Sequence, residues 1–464
     1  MNPSTLLKTS AALLAASALS GCMQLAPRYE RPAAPVPATF PNATSVPSGT
    51  AAADLTWQDY FADPALRDVI ELALKNNRDL RIAMLNIDAV RTQYQLRRAD
   101  QLPTVNAGLT ASRAPGSSGN NVSAYSAGLS VAAYEVDLFG RVRSLTDSAA
   151  AQVLASEESR RVVQISLIAS VANQYLALAA DEELLDLTLR TLDTREQSLK
   201  LTQLRFDNGA ASELDLRQAQ TLAEAARVTL AQQRRQRELD RNALALLLGQ
   251  ALPEWPAAPG RVSAIALADV PAGVPSEVLL RRPDVAQAEQ QLVAANASIG
   301  AARAAFWPRI TLTASAGTAS TQLSDLFKDG AWSFAAQLLQ PIFDAGRNRA
   351  NLAVAEVQRD IAVAQYERAI QAAFRDVADA LAGRATLDDQ VRATQAQADA
   401  EQARYSLSEL RFRNGVSSSL ELLDAERSLF AVQQAVVQTQ LALLQNRVST
   451  YRALGGGNLG AAGQ

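Results

Sequence analysis

The chain has 464 residues, which is long enough for two or three ordinary domains, and its formal net charge is −3. A balance this close to neutral gives no electrostatic reason to expect a nucleic-acid partner. Histidine is absent and cysteine occurs once, so the composition excludes histidine-dependent catalytic triads, histidine metal sites and an intrachain disulfide. Because the carboxylates are scattered over helical faces, we expect no enzymatic activity, no cofactor and no metal.

The N-terminus has the pattern of a secretion signal. Lys8 supplies a positive charge, and a short apolar stretch follows at residues 11–19. Residues 1–21 are therefore predicted to be a signal peptide that is removed from the mature protein.

The signal ends in a sequence, Leu-Ser-Gly-Cys22, that resembles the lipobox of bacterial lipoproteins. We therefore predict that Cys22 is lipidated and that its acyl chains anchor the protein firmly. An ordinary signal peptide followed by a chance cysteine is the alternative. Because Met23 rather than Asp follows the cysteine, analogy with lipoprotein sorting favours the outer membrane of a Gram-negative bacterium.

After the cysteine, residues 22–63 are rich in proline, which predicts an extended tether rather than a domain. Residues 64–252 and 275–454 then form two repeats, each with a helix, a β-hairpin and long helices. A proline-rich crossover at 253–274 joins the repeats, and residues 455–464 are expected to be a flexible tail.

The repeats are recognised from an internal duplication. Residues 204–220 and 410–426 align with an offset of 206, and nine of the seventeen positions are identical. Each copy contains an Asn-Gly pair, which predicts a tight turn between two helices because both residues tolerate positive φ. The two predicted turns are Asn208-Gly209 and Asn414-Gly415.

The second copy has one further local signal. Ser418 followed three residues later by Glu421 is the capping-box pattern of a helix start. We therefore expect the helix after the second turn to begin with a reciprocal pair of side-chain to backbone hydrogen bonds.

Each repeat has a predicted β-hairpin, at residues 104–136 and 309–343, in which apolar and small polar residues alternate. The loop of the first hairpin is expected at residues 113–121. The strands approach the about 9–11 residues that cross an outer membrane. Soluble hairpins on a globular core are the alternative.

Four strands cannot close a barrel in lipid, so in a membrane several chains must share one barrel. Two chains would give about eight strands with a filled interior, and three would give about twelve and leave a pore.

Helical segments precede and follow the hairpins. A first helix is predicted from Pro64 to Arg98. Residues 141–205 contain neither proline nor glycine and predict a helix about 100 Å long, with a coiled-coil spacing of apolar residues from Val171 to Phe206. Residues 347–411 are the second copy. Since no later stretch reaches about 18 consecutive apolar residues, no transmembrane helix is expected in the mature protein.

Two pairs of arginines directly follow the hairpins: Arg141 with Arg143, and Arg347 with Arg349. At the end of a membrane-spanning strand they are placed to contact anionic lipid head groups at the membrane boundary. Ordinary surface arginines are an equally good interpretation of this pattern.

Five short motifs stand out along the mature chain and its signal: Leu19–Cys22, Ala26–Pro32, Pro275–Asp284, the two Asn-Gly turns with their flanks, and Tyr451–Gly457. In this order they resemble the outer-membrane efflux proteins, the TolC-like outer membrane factors, and within them the lipoprotein branch that serves RND-type pumps. The resemblance implies a homotrimer with a shared twelve-stranded outer-membrane β-barrel and a long α-helical, coiled-coil barrel. That fold agrees with the strand count reached above.

The resemblance also implies a function. The chain would be a passive exit duct of a tripartite efflux system for small molecules, with a periplasmic adaptor protein docked at Asn208, Gly209, Asn414 and Gly415. An inner-membrane RND-type transporter would supply the energy, since the sequence has no phosphate-binding motif for a nucleotide. A lipid-anchored periplasmic coiled-coil tether without a pore is the alternative, which leaves the four amphipathic strands unexplained.

Near the second turn the resemblance implies a periplasmic gate. Leu420, Asp424 and Arg427 are spaced i, i+4 and i+7 and therefore share one face of the predicted helix. In the related ducts the matching Leu and Asp form the narrowest rings, and the Arg helps to hold them closed. The first repeat has uncharged residues at these places, namely Leu214, Gln218 and Thr221. A solvated Asp424–Arg427 pair on a helix surface is the alternative.

Overall fold

The computed structural model describes residues 24–41, 54–115, 120–252, 261–270 and 276–457. The predicted signal peptide and Cys22 lie outside these ranges, as do parts of the predicted crossover and tail.

The same order of helix, hairpin and two long helices occurs twice along the chain. The helices are α1 (Trp57–Tyr60), α2 (Pro64–Asn76), α3 (Arg78–Ala99), α4 (Arg141–Asp207), α5 (Glu213–Leu248), α6 (Pro283–Ala304), α7 (Arg347–Arg413) and α8 (Ser419–Ala453), and the strands are β1 (Val105–Pro115), β2 (Asn121–Val136), β3 (Arg309–Ser320) and β4 (Gly330–Leu339).

The first predicted helix is divided in two at Asn77. The backbone of Asn77 is extended, with φ −61° and ψ 133°, and its N–H ends α2 by donating to the carbonyl of Ala73. Its side-chain oxygen accepts from the N–H of Leu80 at 2.9 Å, which caps the start of α3. A single continuous helix from Pro64 to Arg98 was therefore the wrong interpretation, because an asparagine that caps a helix competes with helix continuation.

The four strands form one antiparallel sheet in the order β1-β2-β3-β4, so the two hairpins lie side by side. Gly128 of β2 faces Gly317 of β3, and a Cβ on Gly128 would lie 2.7 Å from the Cα of Gly317. The strands approach so closely there that only glycine fits. Within the described chain, β1 and β4 each pair on one side only, which leaves the outer edges of both strands open.

The hairpin boundaries differ modestly from the sequence-based ones. Strand β1 continues to Pro115, which pairs with Asn121, so the first part of the predicted loop at 113–121 is strand. In the second hairpin, β4 ends at Leu339 rather than at residue 343. Backbone pairing set these limits: β1 continues as far as β2 offers partners, and β4 ends at Leu339, where its pairing with β3 ends at Arg309.

The described chain divides into two compact units, and each unit contains segments from both repeats. One unit holds the sheet, and there the N-terminal segment lies on α6. Arg31 forms a bidentate ion pair with Glu289 at 2.6 and 2.9 Å, and the side chain of Asn296 donates to the carbonyl of Pro27 at 2.8 Å. The predicted tether thus contains no helix over its first described residues and is held there along α6.

The other unit holds the ends of the long helices. The predicted coiled-coil seam of α4 is buried at Val171, Leu178 and Leu185, and it becomes exposed by Phe206. The ring of Tyr451 stacks on Tyr60 with 3.9 Å between centroids, which packs the end of α8 against α1. Among the described residues, α4 is the one helix long and apolar enough to cross a membrane by composition, and most of its apolar stretch is buried, as in the core of a soluble protein.

Candidate functional site

The two Asn-Gly turns have the same conformation. Gly209 and Gly415 have φ of +70° and +71°. The carboxamides of Asn208 and Asn414 each donate to a carbonyl four residues earlier at 2.7 Å. The carbonyls at each helix end are thereby satisfied as in other left-handed helix terminations. We call residues 198–224 the first tip and the equivalent residues 404–430 the second tip.

The first tip begins its second helix with a capping box. The N–H of Asp215 donates to Oγ of Ser212, and the N–H of Ser212 donates back to the Asp215 carboxylate, both at 3.1 Å. Asp215 also accepts a hydrogen bond from the hydroxyl of Ser419 in the second tip. Hydrogen bonds from Ser212 and Ser419 lower the pKa of the Asp215 carboxyl below its ordinary value.

The second tip lacks the predicted capping box. Ser418 has the extended backbone of an N-cap, but its side chain makes no capping hydrogen bond. Glu421 instead lies 3.5 Å from Arg411, across the turn. The longer glutamate side chain reaches a cation on the neighbouring helix, whereas the shorter Asp215 at the equivalent position stays at its own helix start.

The three residues of the predicted gate lie on α8 in the second tip. Asp424 forms an ion pair with Arg427 at 2.6 Å, and Leu420 is 60% exposed in the single chain. Sequence reasoning missed Arg404 of α7, whose guanidinium lies 3.4 Å from the other carboxylate oxygen of Asp424. Its signal was available: Arg404 aligns with Ser198 in the duplication, so it belongs to the same set of charges that only the second repeat carries.

The predicted membrane-boundary arginines have different surroundings. Arg141 forms a bidentate pair with Glu135 at 2.7 and 2.8 Å, and Arg309 contacts the same carboxylate at 2.7 Å. Sequence reasoning missed both Glu135 and Arg309. The side chains of Arg143, Arg347 and Arg349 are exposed. Phe139 and Trp307, each two residues before one of these arginines, stack their rings with 5.0 Å between centroids.

Large apolar side chains of the sheet are exposed in the single chain. Leu109 is 70% exposed, Trp332 81% and Phe334 62%. Large exposed apolar surfaces on a single chain mark contacts with membranes or other proteins. Taken with the open outer strands and the paired helical turns, these features define the class of outer-membrane channel proteins.

Comparison with known proteins makes the assignment specific. The family model for outer membrane efflux proteins matches residues 69–250 and 274–456. The chain belongs to this family, which confirms the resemblance seen in the sequence. Its members are transport ducts and not enzymes.

Named relatives agree with the family. A protein described as a probable efflux pump outer membrane protein, TtgC of Pseudomonas putida, is 47% identical over 460 residues, covering 96% of this chain and 95% of the relative. The outer membrane protein OprJ of Pseudomonas aeruginosa is 46% identical over 461 residues, with 96% and 95% covered. The protein accordingly functions as an outer-membrane efflux protein.

Solved structures agree with the fold. The open state of the MtrE outer membrane channel of Neisseria gonorrhoeae superposes with a TM-score of 0.87 at 43% identity, over 94% of this chain and 98% of that one. The channel protein CusC superposes with a TM-score of 0.85 at 38% identity, over 93% of this chain and all of the other. The largely helical fold with a four-stranded sheet is therefore that of known membrane channels.

Proposed function

We propose that the protein is the passive exit duct of a tripartite, RND-type efflux system and that three copies share one twelve-stranded barrel in the outer membrane. The observation that carries this proposal is the sheet, which has four strands, open outer edges and exposed apolar side chains. Unpaired backbone groups are too costly to leave in lipid, so β1 of one copy pairs with β4 of the next. Three copies give about twelve strands, which leaves a pore, whereas about eight would fill with side chains.

The barrel is supplemented by a lipid anchor at Cys22. The described chain begins two residues later, and its first segment is held on α6 by Arg31 and Glu289. An anchored cysteine would therefore stay close to the unit that contains the sheet. Arg143, Arg347 and Arg349 are exposed and available to anionic lipid head groups, whereas Arg141 is paired with Glu135.

The paired helical turns are the sites where the duct binds its partners. The turns at Asn208-Gly209 and Asn414-Gly415 are the adaptor-docking points, and their backbone conformation is the same in both copies. A periplasmic adaptor protein bound there connects the duct to an inner-membrane RND-type transporter.

Leu420, Asp424 and Arg427 form the periplasmic gate of the duct. Three copies place three leucines and three Asp–Arg pairs around the axis, and Arg404 adds a second cation to each Asp424. These contacts are exposed in the single chain, where such a pair contributes about 0.2–1 kcal/mol. Partial desolvation between neighbouring copies would strengthen them while leaving them breakable when the adaptor docks.

Single-channel recording tests the gate. We expect Asp424→Ala with Arg427→Ala to raise the conductance of the reconstituted protein without loss of trimer, and Leu420→Ser to raise it further by wetting an apolar constriction. Gln218→Ala with Thr221→Ala at the aligned positions of the first repeat is the matched control and should leave conductance unchanged. Normal folding with unchanged conductance in the triple variant would place the closure elsewhere.

The duct itself is tested by chain count and by permeation. Cross-linking in detergent should give three chains, and loss of the gene should raise intracellular accumulation of a pump substrate. A monomer without barrel signal, or a trimer that stays silent in bilayers even in the triple variant, would favour a lipid-anchored coiled-coil tether without a pore.

A further inference from the structure

A small pocket lies in the second unit where α4, α7 and α8 meet, about four helical turns from each Asn-Gly turn. It has a volume of about 200 Å³ and combines aromatic, aliphatic and charged walls. We call it the latch pocket. It is lined by residues of three helices: Leu187, Arg190, Thr191, Thr194, Arg195, Tyr405, Glu426, Leu429, Phe430 and Gln433.

Two charged side chains in this pocket are almost fully buried. Glu426 of α8 is 8% exposed and Arg195 of α4 is 4% exposed. Within the described part of the chain, Oε2 of Glu426 and Nε of Arg195 have no hydrogen-bond partner. A buried ionised carboxylate with an unpaired oxygen is costly, so this arrangement favours a neutral glutamic acid.

Arg195 is held in place by other groups. One of its terminal nitrogens donates to the carbonyl of Leu222 on α5 at 3.1 Å, and its guanidinium lies 5.1 Å from the centre of the Phe430 ring. The arginine is thus fixed by a backbone acceptor and an aromatic face rather than by Glu426. Its positive charge moderates the cost of ionising Glu426 but does not remove it.

The other charged or titratable groups near Glu426 come from α4 and α7. Arg190 lines the pocket from α4, and Tyr405 lines it from α7, while Glu409 of α7 adds a repulsive negative charge. Burial is the largest influence and raises the pKa of Glu426 to about 7, with Arg195 opposing and Glu409 reinforcing the change. Nothing comparable occurs at the aligned position of the first repeat, which is Gln220.

We propose that Glu426 is a proton-operated latch that holds α8, the helix of the proposed gate, against α4 and α7. The inference rests on the proposed function, because Glu426 lies between Asp424 and Arg427 in sequence while its own side chain is turned into the buried pocket. Protonated, it is compatible with the tight packing of the three helices. Ionised, it favours an arrangement in which the helices loosen and water reaches the carboxylate.

The direction of the pH effect follows from the raised pKa. The proton binds more tightly in the tight arrangement than in a hydrated one, where the carboxyl has its ordinary pKa of 4.5. The proton stabilises the tight arrangement fully when the pH is below the ordinary pKa, and this stabilisation is lost as the pH rises through the raised pKa. Between the two values the ratio of tight to loosened molecules falls by up to about tenfold per pH unit, and above about pH 7 it changes no further.

The first measurement is the titration of the group itself. Infrared difference spectra of the full-length protein against Glu426→Gln should show one protonated carboxyl band that disappears between pH 5 and 8. We expect Arg195→Gln to move its midpoint to higher pH and Glu409→Gln to move it lower. A carboxyl that is already ionised at pH 5 would overturn the proposal.

The second measurement is movement. Spin labels introduced as non-natural amino acids at the exposed residues Gln197 of α4 and Ala431 of α8 should report a longer distance as pH rises across the same interval. Glu426→Gln should remain at the short distance at every pH, and Glu421→Gln, an exposed position on the same helix, should behave as the unmodified protein. A distance that is constant while the carboxyl titrates would overturn the latch.

The third measurement connects the latch to the duct. Single-channel conductance should increase from pH 5 to 7 and stay level above it, and Glu426→Gln should abolish this dependence. If the protein forms no pores at any pH, the proposed function fails, while the titration and the distance still decide whether the latch exists. If the conductance of Glu426→Gln changes with pH as much as that of the unmodified protein, the latch does not control the duct.

Discussion

The first and second tips derive from one sequence pattern and have the same turn, yet they use their polar side chains differently. In the first tip Ser212 and Asp215 satisfy the backbone at the helix start. In the second tip Ser418 makes no such bond. There Arg404 of α7 pairs with Asp424 of α8, which also pairs with Arg427 of its own helix. The two tips share one backbone conformation, but of the two only the first has the capping bond at its helix start.

The largest expected effect is one that both tips share. Gly209→Ala and Gly415→Ala place a Cβ in the left-handed region, where no atom lies within 4 Å of it, so the cost is backbone strain alone. We expect each to lower the local free energy of opening by about 1–2 kcal/mol. Amide hydrogen exchange at the two turns measures this change in the free energy of opening. Clearly unequal losses would show that the turns are not equivalent.

The next effect should separate the tips. Ser212→Ala removes a formed capping bond and should cost the first tip about 1 kcal/mol, whereas Ser418→Ala should cost the second tip close to nothing. Each variant is the matched control of the other in the same exchange experiment. An equal loss in both would mean that Ser418 does cap its helix in solution.

Acid should weaken the first tip in particular. The pKa of Asp215 is lowered by hydrogen bonds from Ser212 and Ser419, so its contribution is present above the ordinary value and is lost as pH falls through the lowered one. We expect Asp215→Asn, which removes a negative charge from a helix N-terminus, to cost about 0.5 kcal/mol at neutral pH and to abolish the loss in acid. Exchange measured down to pH 3 decides this, and an unchanged acid response in the variant would contradict it.

The smallest effect comes from moving the charges. Gln218→Asp with Thr221→Arg gives the first tip the Asp–Arg spacing of the second, and on an exposed helix face it should add about 0.2–0.5 kcal/mol. Serine stands at the position of Arg404 there, so Ser198→Arg is needed to complete the set. A gain from the pair alone as large as that of the full set would show that Arg404 contributes nothing.

Several elements of the fold could be predicted from short segments of the sequence. The Asn-Gly turns, the strands with alternating small and apolar residues, and the heptad seam are properties of short segments. Each formed, although β1 and β4 end at other residues than predicted and the seam is exposed at Phe206. Local reading failed at Asn77, where a capping side chain interrupts a helical pattern, and at Glu421, where a longer acid prefers Arg411 to its own helix end. In both places a side chain had two possible partners, and the sequence does not rank them.

The sequence by itself determined the two repeats, the four strands, the long helices and the family, because periodicity and short motifs are encoded residue by residue. Only the tertiary structure decided which residues share an environment: Arg404 with Asp424, Arg309 with Glu135, and Arg195 with Glu426. These pairs join residues from distant segments of the chain. Contact between such residues, and the burial that gives Glu426 its unusual pKa, depends on helix packing, which no local pattern specifies.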